Sequence, residues 1–265
     1  MREPDGGAPI PAQVRRERMR TLVGEREFAR VADLSDVFGV SEVTVRSDLD
    51  VLASRGLVRR VRGGAMPRPA PAERPFEEAE VVSAGEKDAI GALAAGLISS
   101  GDSVILDVGT TTAAIASALV QRKDLSAVTV FTNSIKVAMV LEPAIPRLDV
   151  VVTGGTLRAL QHSLVDPLGR VLLERLNVDT VFLGCNGVDP DGGVTNVNLP
   201  ETEIKRVMLA AGRRRIVVAD GSKIGRVALA HLCPIEQVDV LITGTSADRD
   251  VLSALRERGL DVHVA

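Results

Sequence analysis

The sequence predicts an α/β protein in two parts: an N-terminal winged helix-turn-helix domain, then a larger domain built on a mostly parallel sheet. Three observations support this prediction. Residues 15–65 carry helical apolar periodicity interrupted by a turn signal, a proline-rich segment follows, and from residue 103 short β-branched runs alternate with helical stretches. Apolar residues make up 45% of the chain and aromatic residues only 2%, so the core must be aliphatic, as in parallel sheets covered by helices.

Charge, cysteine content and hydropathy narrow the class of protein. The formal net charge of the 265 residues is −3, although residues 1–68 hold 13 arginines against 10 acidic residues. Cys185 and Cys233 lie in apolar segments without metal spacing, and the N-terminus lacks the apolar stretch of a secretion signal. No apolar run approaches the roughly 18 residues that a membrane helix needs. We therefore expect a cytoplasmic protein that does not enter a membrane.

Three helical stretches are predicted in the N-terminal domain, residues 15–65, after a flexible tail over residues 1–14. Their apolar positions are Met19, Leu22 and Val23, then Val31, Leu34, Val37 and Phe38, and then Val45, Leu49 and Leu52. Between the second and third stretches, Gly39 can take the left-handed conformation that ends a helix, and Ser41 can cap the next helix. This spacing predicts a helix-turn-helix.

The third helix and the residues after it have the features of a DNA-binding surface. With Val45 facing inward, Arg46 faces outward early in the helix, where an arginine can reach guanine O6 and N7 in the major groove. "GLVRRVRGGA" predicts a wing of two short strands, within a stretch from Ser54 to Arg68 that holds five arginines and no acidic residue. The candidate DNA-binding residues are Ser41, Val43, Thr44, Arg46, Ser47, Arg60 and Arg62. The alternatives are that the three helices are a packing module, or that Arg46 only pairs with Asp50 at i+4.

Residues 66–79 form the predicted linker, because the segment "MPRPAPAERPF" concentrates proline and so excludes a helix or a central strand. Beyond it, residues 80–265 show strand-like runs separated by helical stretches. The runs are "SVILDV", "VTVFTN", "LDVVVTGG", "TVFLGCNG", "RIVVAD", "VDVLITG" and "LDVHVA". Such alternation predicts right-handed crossovers and a mostly parallel sheet.

The loop "DVGTTT", residues 107–112, joins one of these strands to a helix and has the character of an anion site. It lacks the lysine of a P-loop and the spaced glycines of a dinucleotide-binding turn. Gly109 lets the backbone approach an anion, and the N–H groups of Thr110 to Thr112 open the next helix at the positive end of its dipole. A threonine cluster that merely caps the helix is the alternative.

Several motifs resemble those of the DeoR-type bacterial transcription regulators. The stretch "VSEVTVRSDLDVLASRGLVRRVRGGA" follows the winged-helix pattern of that family, with Ser47 where the family has a second arginine. Further motifs occur in the order of the family's sensor domain: Glu86-Lys87, "DVGTTT", Thr132-Asn133-Ser134, Gly154-Gly155, Phe182-Leu183-Gly184, Gly187 and "ADGSKIG". The resemblance implies a sensor with the sugar-phosphate isomerase fold, whose effectors are phosphorylated sugars or related metabolites.

The resemblance and the parallel sheet together predict an effector site at the carboxyl ends of the strands. The threonine loop would hold a phosphate, Asp107 could hold a sugar hydroxyl or brace the turn, and Lys87 and Lys223 stand at family motif positions. Structural ion pairs are the alternative for both lysines. The candidate effector-binding residues are Lys87, Asp107, Gly109, Thr110, Thr111, Thr112, Thr132, Asn133, Ser134, Gly154, Gly155, Asp220 and Lys223.

We therefore predict a DNA-binding transcriptional regulator. The resemblance favours a repressor of carbohydrate-metabolism genes that a phosphorylated sugar releases from, or retunes on, double-stranded operator DNA. A homo-oligomer, dimer or tetramer, is expected because one recognition helix reads too few bases to single out a genomic site. A bare oligomeric scaffold would explain neither the wing nor the threonine loop.

A sugar-phosphate isomerase is the rival function, since the resemblance implies the same fold. Its carboxylate cluster is thinned here to Asn186 and Asp189, so a general base is not obvious. His162, His231 and His263 lack metal spacing and a nucleophile motif. The sequence thus predicts no catalytic residue, no metal and no cofactor.

Overall fold

The computed structural model describes residues 11–24, 26, 28–54, 57–67, 73–165 and 167–265. The chain divides into two compact units between residues 71 and 72. The predicted tail and linker fall partly outside the described residues, at 1–10 and 68–72. Among the helices described, none has the length and apolar character needed to cross a lipid bilayer.

The first unit is a winged helix-turn-helix. Its elements are α1 (Ala12–Gly24), β1 (Ala29–Arg30), α2 (Val31–Phe38), α3 (Glu42–Ser54), β2 (Val58–Val61) and β3 (Gly64–Pro67). Gly39 ends α2 with a φ of 62°, and the Ser41 hydroxyl oxygen accepts the Thr44 N–H at 3.2 Å, as the turn signal predicts. Gly64 is required where the sheet is tightest, since a Cβ there would lie 2.2 Å from the Ala29 carbonyl oxygen.

The core of this unit is the predicted aliphatic one, with one exception. Its largest fully buried side chains include Met19, Leu34 and Leu49. Val37, one of the apolar positions of the second helical stretch, is 57% exposed. Val31, Leu34 and Phe38 follow one line of a helix of period 3.6, whereas Val37 stands about a quarter turn away. Val37 is therefore not part of this core.

The second unit contains the larger α/β domain. Its helices are α4 (Phe76–Val81), α5 (Ala84–Gly96), α6 (Thr110–Gln121), α7 (Ile135–Leu141), α8 (Leu168–Leu173), α9 (Leu199–Ala211) and α10 (Arg249–Glu257). Its strands are β4 (Ser103–Leu106), β5 (Val128–Thr132), β6 (Leu148–Val152), β7 (Thr156–Arg158), β8 (Ser163–Val165), β9 (Val178–Gly184), β10 (Gly187–Asp189), β11 (Gly193–Asn196), β12 (Gly212–Ala219), β13 (Ala230–Cys233), β14 (Val240–Thr243) and β15 (Asp261–Val264). The first helix, α4, begins inside the segment predicted to be linker.

A parallel sheet organises this unit. Among the described residues it has seven strands in the order β15-β14-β12-β9-β4-β5-β6, and all six pairings are parallel. These are the seven predicted runs. Two antiparallel additions were not predicted, the hairpin β7-β8 and the small sheet β10-β11-β13. The fold is thus α/β and mostly parallel, as the sequence predicts.

Helices cover both faces of the sheet. One core includes Leu106 and Phe182 of the strands with Ile115 of α6. The other includes Ile105 of the strands with Met208 of α9. Neighbouring strand residues point to opposite faces, so both faces are buried and the strands read as continuous apolar runs. This arrangement leaves the strand ends and their loops as the accessible part of the sheet.

Candidate functional site

The outer face of α3 is the candidate DNA-binding surface. Val45 and Leu49 are buried on its inner side, whereas Val43, Arg46 and Ser47 are exposed. The Arg46 guanidinium pairs with the Glu42 carboxylate one turn earlier in the helix, not with Asp50 one turn later. Both partners are about half exposed, and such surface pairs contribute little to stability. Arg46 can therefore exchange Glu42 for a base without a large penalty.

A buried ion pair fixes α3 against α1. Asp48 is 1% exposed, and its two carboxylate oxygens accept from Arg15 Nε at 2.6 Å and from Arg16 Nε at 2.7 Å. Asp48 belongs to the motif seen in the sequence, whereas its two partners precede it by more than 30 residues and were not predicted. The contacts orient the outer face of α3.

The two wing arginines have different positions: Arg60 contacts the recognition helix, and Arg62 lies exposed in the turn. Arg60 donates through Nε to Asp50 of α3 at 2.8 Å and through Nη1 to the Gly64 carbonyl at 2.8 Å, so it ties the wing to the helix. Arg62 lies at the turn between β2 and β3, beside Gly63 with its φ of 83°, and is exposed. Among the residues that the structure describes, Arg62 has no ion pair. Of the two predicted wing arginines, Arg62 is therefore the better placed for a phosphate.

In the second unit, the predicted effector-binding segments lie along one edge of the sheet. Four of them follow strands β12, β4, β5 and β6 of the one parallel sheet, and parallel strands end on the same side. The order in which strands are added to the sheet reverses between β4 and β9. From β4 the chain adds β5 and β6 on one side, whereas β9 and β12 lie on the other side of β4. Ligands of open α/β sheets bind at such a switch point. Asp107 and the threonine loop stand there.

Asp107 forms a buried ion pair with Lys205 of α9, a residue that the sequence analysis did not single out. Asp107 Oδ2 also accepts the Gly184 N–H at 3.1 Å, and Lys205 Nζ donates to the Gly184 carbonyl at 3.1 Å. Burial raises the pKa of Asp107 to about 6, against the opposing charge of Lys205. Asp107 Oδ1 is buried and has no hydrogen-bond partner among the described residues. It is an acceptor that a hydroxyl donor would satisfy.

The threonine loop opens α6 at the same place. Gly109 has a φ of 149°, a conformation that favours glycine, and it stands directly before the helix. The Thr112 hydroxyl donates to the Gly109 carbonyl at 2.9 Å, so it braces the loop. Thr110 is half-buried and Thr111 is 8% exposed, at the helix end where backbone N–H groups lack intrahelical acceptors. The loop therefore offers backbone donors more than hydroxyl groups.

Lysines supply positive charge to this edge. Burial lowers the pKa of Lys87, Asp220 opposes that shift, and Lys223 adds to it, so the three groups act on one another through their charges. The charges of Lys205 and Lys223 also reach the Cys185 thiol, whose pKa burial raises to about 12. Among the described residues, Lys223 has no salt bridge and is half-buried. Lys223 is thus the cation best placed to meet an anion.

Lys87 also has a structural role, which was not predicted from the sequence. Its ammonium donates to the carbonyls of Ala79 and Val82, both at 2.6 Å, at the C-terminal end of α4. A cation at that end is favourable because the helix dipole is negative there. These contacts place Lys87 between α4 and the charged group formed by Asp220 and Lys223.

Glu86, the other half of that motif, braces two loops of the same edge. Its carboxylate accepts the Gly221 N–H at 3.2 Å and the Ser246 N–H at 2.6 Å. The loops after β12 and β14 are thereby held together. A role in holding the loops, rather than in meeting a ligand, accounts for a glutamate at this position.

The "TNS" segment after β5 is buried and internally bonded. Thr132 Oγ1 accepts the Ser134 N–H at 3.0 Å, and Ser134 Oγ accepts the Val137 N–H at 3.3 Å, which caps α7. Asn133 Nδ2 donates weakly to the Leu164 carbonyl at 3.4 Å, and its Oδ1 is a second buried acceptor without a partner among the described residues. Of these three side chains, only Asn133 keeps an unused polar atom for a ligand.

The glycines after β6 are needed for a close approach. Gly154 has a φ of 76° and Gly155 one of 127°. A Cβ on Gly155 would lie 2.7 Å from the Val165 carbonyl oxygen. The pair therefore lets the loop after β6 pass against β8, and both glycines remain half-buried at the edge of the sheet.

The segment that enters the second unit is anchored to the hairpin β7-β8. Arg158 of the hairpin pairs with Glu73 and, at 2.7 Å, with Glu201 of α9. Glu201 is 4% exposed and also accepts from the Ser163 hydroxyl at 2.6 Å. The hydrogen bond from the Phe76 N–H to the Leu160 carbonyl, 2.9 Å long, continues the contact into α4. None of these partners was predicted.

Asp189 and Asn186, the residues considered for isomerase chemistry, accept hydrogen bonds from backbone N–H groups. Asp189 Oδ1 accepts the N–H groups of Asp191 at 3.0 Å and Gly192 at 2.9 Å, a turn within the hairpin β10-β11. Asn186 Oδ1 accepts the Val197 N–H at 3.0 Å. Both side chains hold backbone turns, which gives no support to a general base at this strand end.

The winged helix-turn-helix and the polar edge of the α/β unit define a class of protein, the DNA-binding transcriptional regulators. A DeoR-like helix-turn-helix domain matches residues 15–67, and a DeoR C terminal sensor domain matches residues 82–245. The chain belongs to the DeoR family of transcriptional regulators.

The chain is similar to two transcriptional regulators over almost its whole length, and more distantly to one solved structure. The chain is 34% identical over 254 residues to the HTH-type transcriptional regulator GlpR of Haloferax volcanii, covering 96% of this chain and 97% of that protein. It is 28% identical over 243 residues to the glycerol-3-phosphate regulon repressor of Escherichia coli, covering 92% and 95% respectively. The sorbitol operon regulator SorC of Klebsiella pneumoniae superposes with a TM-score of 0.41 at 13% identity, over 91% of this chain and 97% of that one.

Proposed function

We propose that this regulator is a repressor whose second unit binds a phosphorylated sugar at the carboxyl edge of the parallel sheet, and that binding releases the operator. The observation that carries the proposal is that a helix N-terminus and an unsatisfied acceptor follow β4, while a cation follows β12, at the same edge of the sheet. The N-terminus of α6 and Lys223, which has no salt bridge among the described residues, suit a phosphate. Asp107 Oδ1 suits a hydroxyl of the same ligand.

A thermal-shift screen tests the proposed effector class. A ligand that binds only the native state raises the melting temperature. We expect one or more sugar phosphates to stabilise the full chain, whereas the matching sugars without phosphate and inorganic phosphate alone do so far less. Equal shifts with and without the phosphate group would contradict the proposal.

The DNA-binding surface gives a prediction for Arg46→Ala. Loss of a bidentate guanine contact should weaken specific binding by about 1–3 kcal/mol and flatten discrimination at one base position. Fluorescence anisotropy on operator and on scrambled duplex measures both effects. If affinity falls equally for the two duplexes, Arg46 contacts phosphate and not a base.

Oligomerisation is part of the proposal, because one recognition helix reads too few bases for a unique site. The chain should form a homo-oligomer that protects paired half-sites about 10 base pairs apart, or a multiple of that spacing. Light scattering gives the oligomer number, and footprinting on the operator gives the spacing. A monomer that protects a single half-site would count against this part.

The contacts of Lys87 suggest how the effector signal leaves the site. An anion near Lys223 attracts the Lys87 ammonium. This attraction competes with the hydrogen bonds that the ammonium donates to the carbonyls of Ala79 and Val82, at the end of α4, the first helix after the linker. Lys87→Met should therefore bind effector within a few-fold of wild type but lose most of the effector-induced release from operator. The measurements are effector affinity by calorimetry and operator affinity with and without effector. The exposed Lys123→Met is the matched control, and undiminished release in Lys87→Met would exclude α4 as the route.

A further inference from the structure

Val43 is the most exposed large apolar side chain among the described residues of the first unit, with 72% of its surface accessible. It stands at the second position of α3, roughly opposite the buried Val45 and Leu49. Valine is a weaker helix former than many polar residues, and it gains nothing from exposure to water. Packing of the unit therefore does not account for an apolar group at this position.

The neighbours of Val43 on the outer face of α3 are polar. Ser47 lies one turn further along the same side and is exposed. Arg46, three positions on, is held by Glu42 in a surface ion pair. The N-terminal residues of a recognition helix are the ones that meet base edges in the major groove. The side chains of Arg46 and Ser47 can form hydrogen bonds with base edges, whereas that of Val43 can offer only apolar contact.

The apolar group that bases display in the major groove is the C5-methyl of thymine. We propose that Val43 contacts a thymine methyl in each half-site, and that this thymine lies one or two base pairs from the guanine bound by Arg46. The spacing follows from geometry, since side chains at i and i+3 stand about 5–6 Å apart and base pairs rise by about 3.4 Å. The inference rests on the role proposed above for the outer face of α3.

The test uses the full chain and an operator selected with it from a pool of random duplexes. Each thymine of the selected half-site is replaced in turn by deoxyuridine, which removes the methyl group and keeps every hydrogen-bonding group. Affinity is measured by fluorescence anisotropy for wild type, Val43→Ala and Val37→Ala. Val37 is the matched control because it is also an exposed valine of this unit but lies on α2.

For wild type, one thymine beside the guanine should be sensitive, with affinity falling about fourfold per half-site when it becomes uracil. This factor corresponds to about 0.8 kcal/mol, the value of one buried methyl-sized group. Val43→Ala should bind the thymine and uracil duplexes equally, and Val37→Ala should behave as wild type. At the same position, wild type should prefer 5-methylcytosine to cytosine by a similar factor.

Two kinds of failure are distinguishable. Either of two results overturns the thymine contact and leaves DNA binding by α3 in place. One is an operator with no thymine within two base pairs of the guanine, and the other is equal uracil sensitivity in wild type and Val43→Ala. A chain that selects no sequence at all would remove the proposed role of α3, and the thymine contact with it.

Discussion

Lys205→Met lowers the free energy of unfolding by about 3–5 kcal/mol at pH 8, the usual cost of removing one partner from a buried ion pair. Asp107 and Lys205 are both almost fully buried, and the variant leaves the Asp107 carboxylate without its cation. Methionine has a similar length and is apolar, so the loss comes from the charge and not from a cavity.

The pH dependence of this loss has a definite sign. Burial already raises the pKa of Asp107 to about 6, and removing Lys205 raises it further, since its charge opposes the shift. A carboxyl whose folded-state pKa lies above its unfolded value binds a proton more readily in the folded state, so stability falls as pH rises. The deficit of Lys205→Met should therefore be smallest near pH 4 and should grow above pH 6, by at most about 1.4 kcal/mol per pH unit.

Chemical denaturation at several pH values measures this deficit, and two further variants serve as controls. Lys123→Met removes an exposed lysine and should change stability by less than about 0.5 kcal/mol. Asp107→Asn combined with Lys205→Met removes both charges and should recover much of the loss. A deficit that is independent of pH would mean that the Asp107 charge is not its cause.

Thr111→Glu and Lys223→Glu should each give a repressor that effector cannot release. The first places a negative charge at the opening of α6, and the second reverses the charge at Lys223 in the proposed site. A phosphate would be repelled at both positions, so we expect effector affinity to fall by at least a hundredfold. Operator affinity without effector should stay within about twofold of wild type, because both changes lie outside the first unit.

Operator affinity with and without the effector found by thermal shift measures this expectation. Lys123→Glu reverses an exposed charge elsewhere in the second unit and should respond to effector as wild type does. Because Thr111 is largely buried, a loss of folding in Thr111→Glu would show as a lowered melting temperature without effector. Lys223→Glu, at a half-buried position, then tests by itself whether this edge of the sheet binds the effector phosphate. Normal release by effector in Lys223→Glu would exclude this edge of the sheet as the phosphate site.

The parallel sheet could be predicted because its strands are buried on both faces and read as short, continuous aliphatic runs. Each of the seven predicted runs is a strand of the sheet. The common edge followed from direction alone, since parallel strands end on one side. Predicting which segments lie at the same edge of the sheet therefore needed no knowledge of individual contacts.

Lys205 and Arg158 could not be predicted in this way, because their partners are far along the chain. Lys205 lies 98 residues from Asp107, and Arg158 lies 43 residues from Glu201. One signal was available for Lys205: it stands on the apolar face of α9 beside Ile204, where an unpaired ammonium would be costly. A lysine at such a position predicts a buried acidic partner, although the helical pattern does not identify it.

The contact of Arg15 and Arg16 with Asp48 has a consequence for dissecting the protein. A fragment that began at β1 would keep the two helices of the motif and the wing, yet it would lose both arginine partners of Asp48 and the buried Met19 and Val23 of the core. The smallest autonomous DNA-binding fragment must therefore start upstream of Arg15. By the same reasoning, an affinity tag fused close to Ala12 sits near the residues that set the docking angle of α3, and a tag at the opposite terminus is the safer choice.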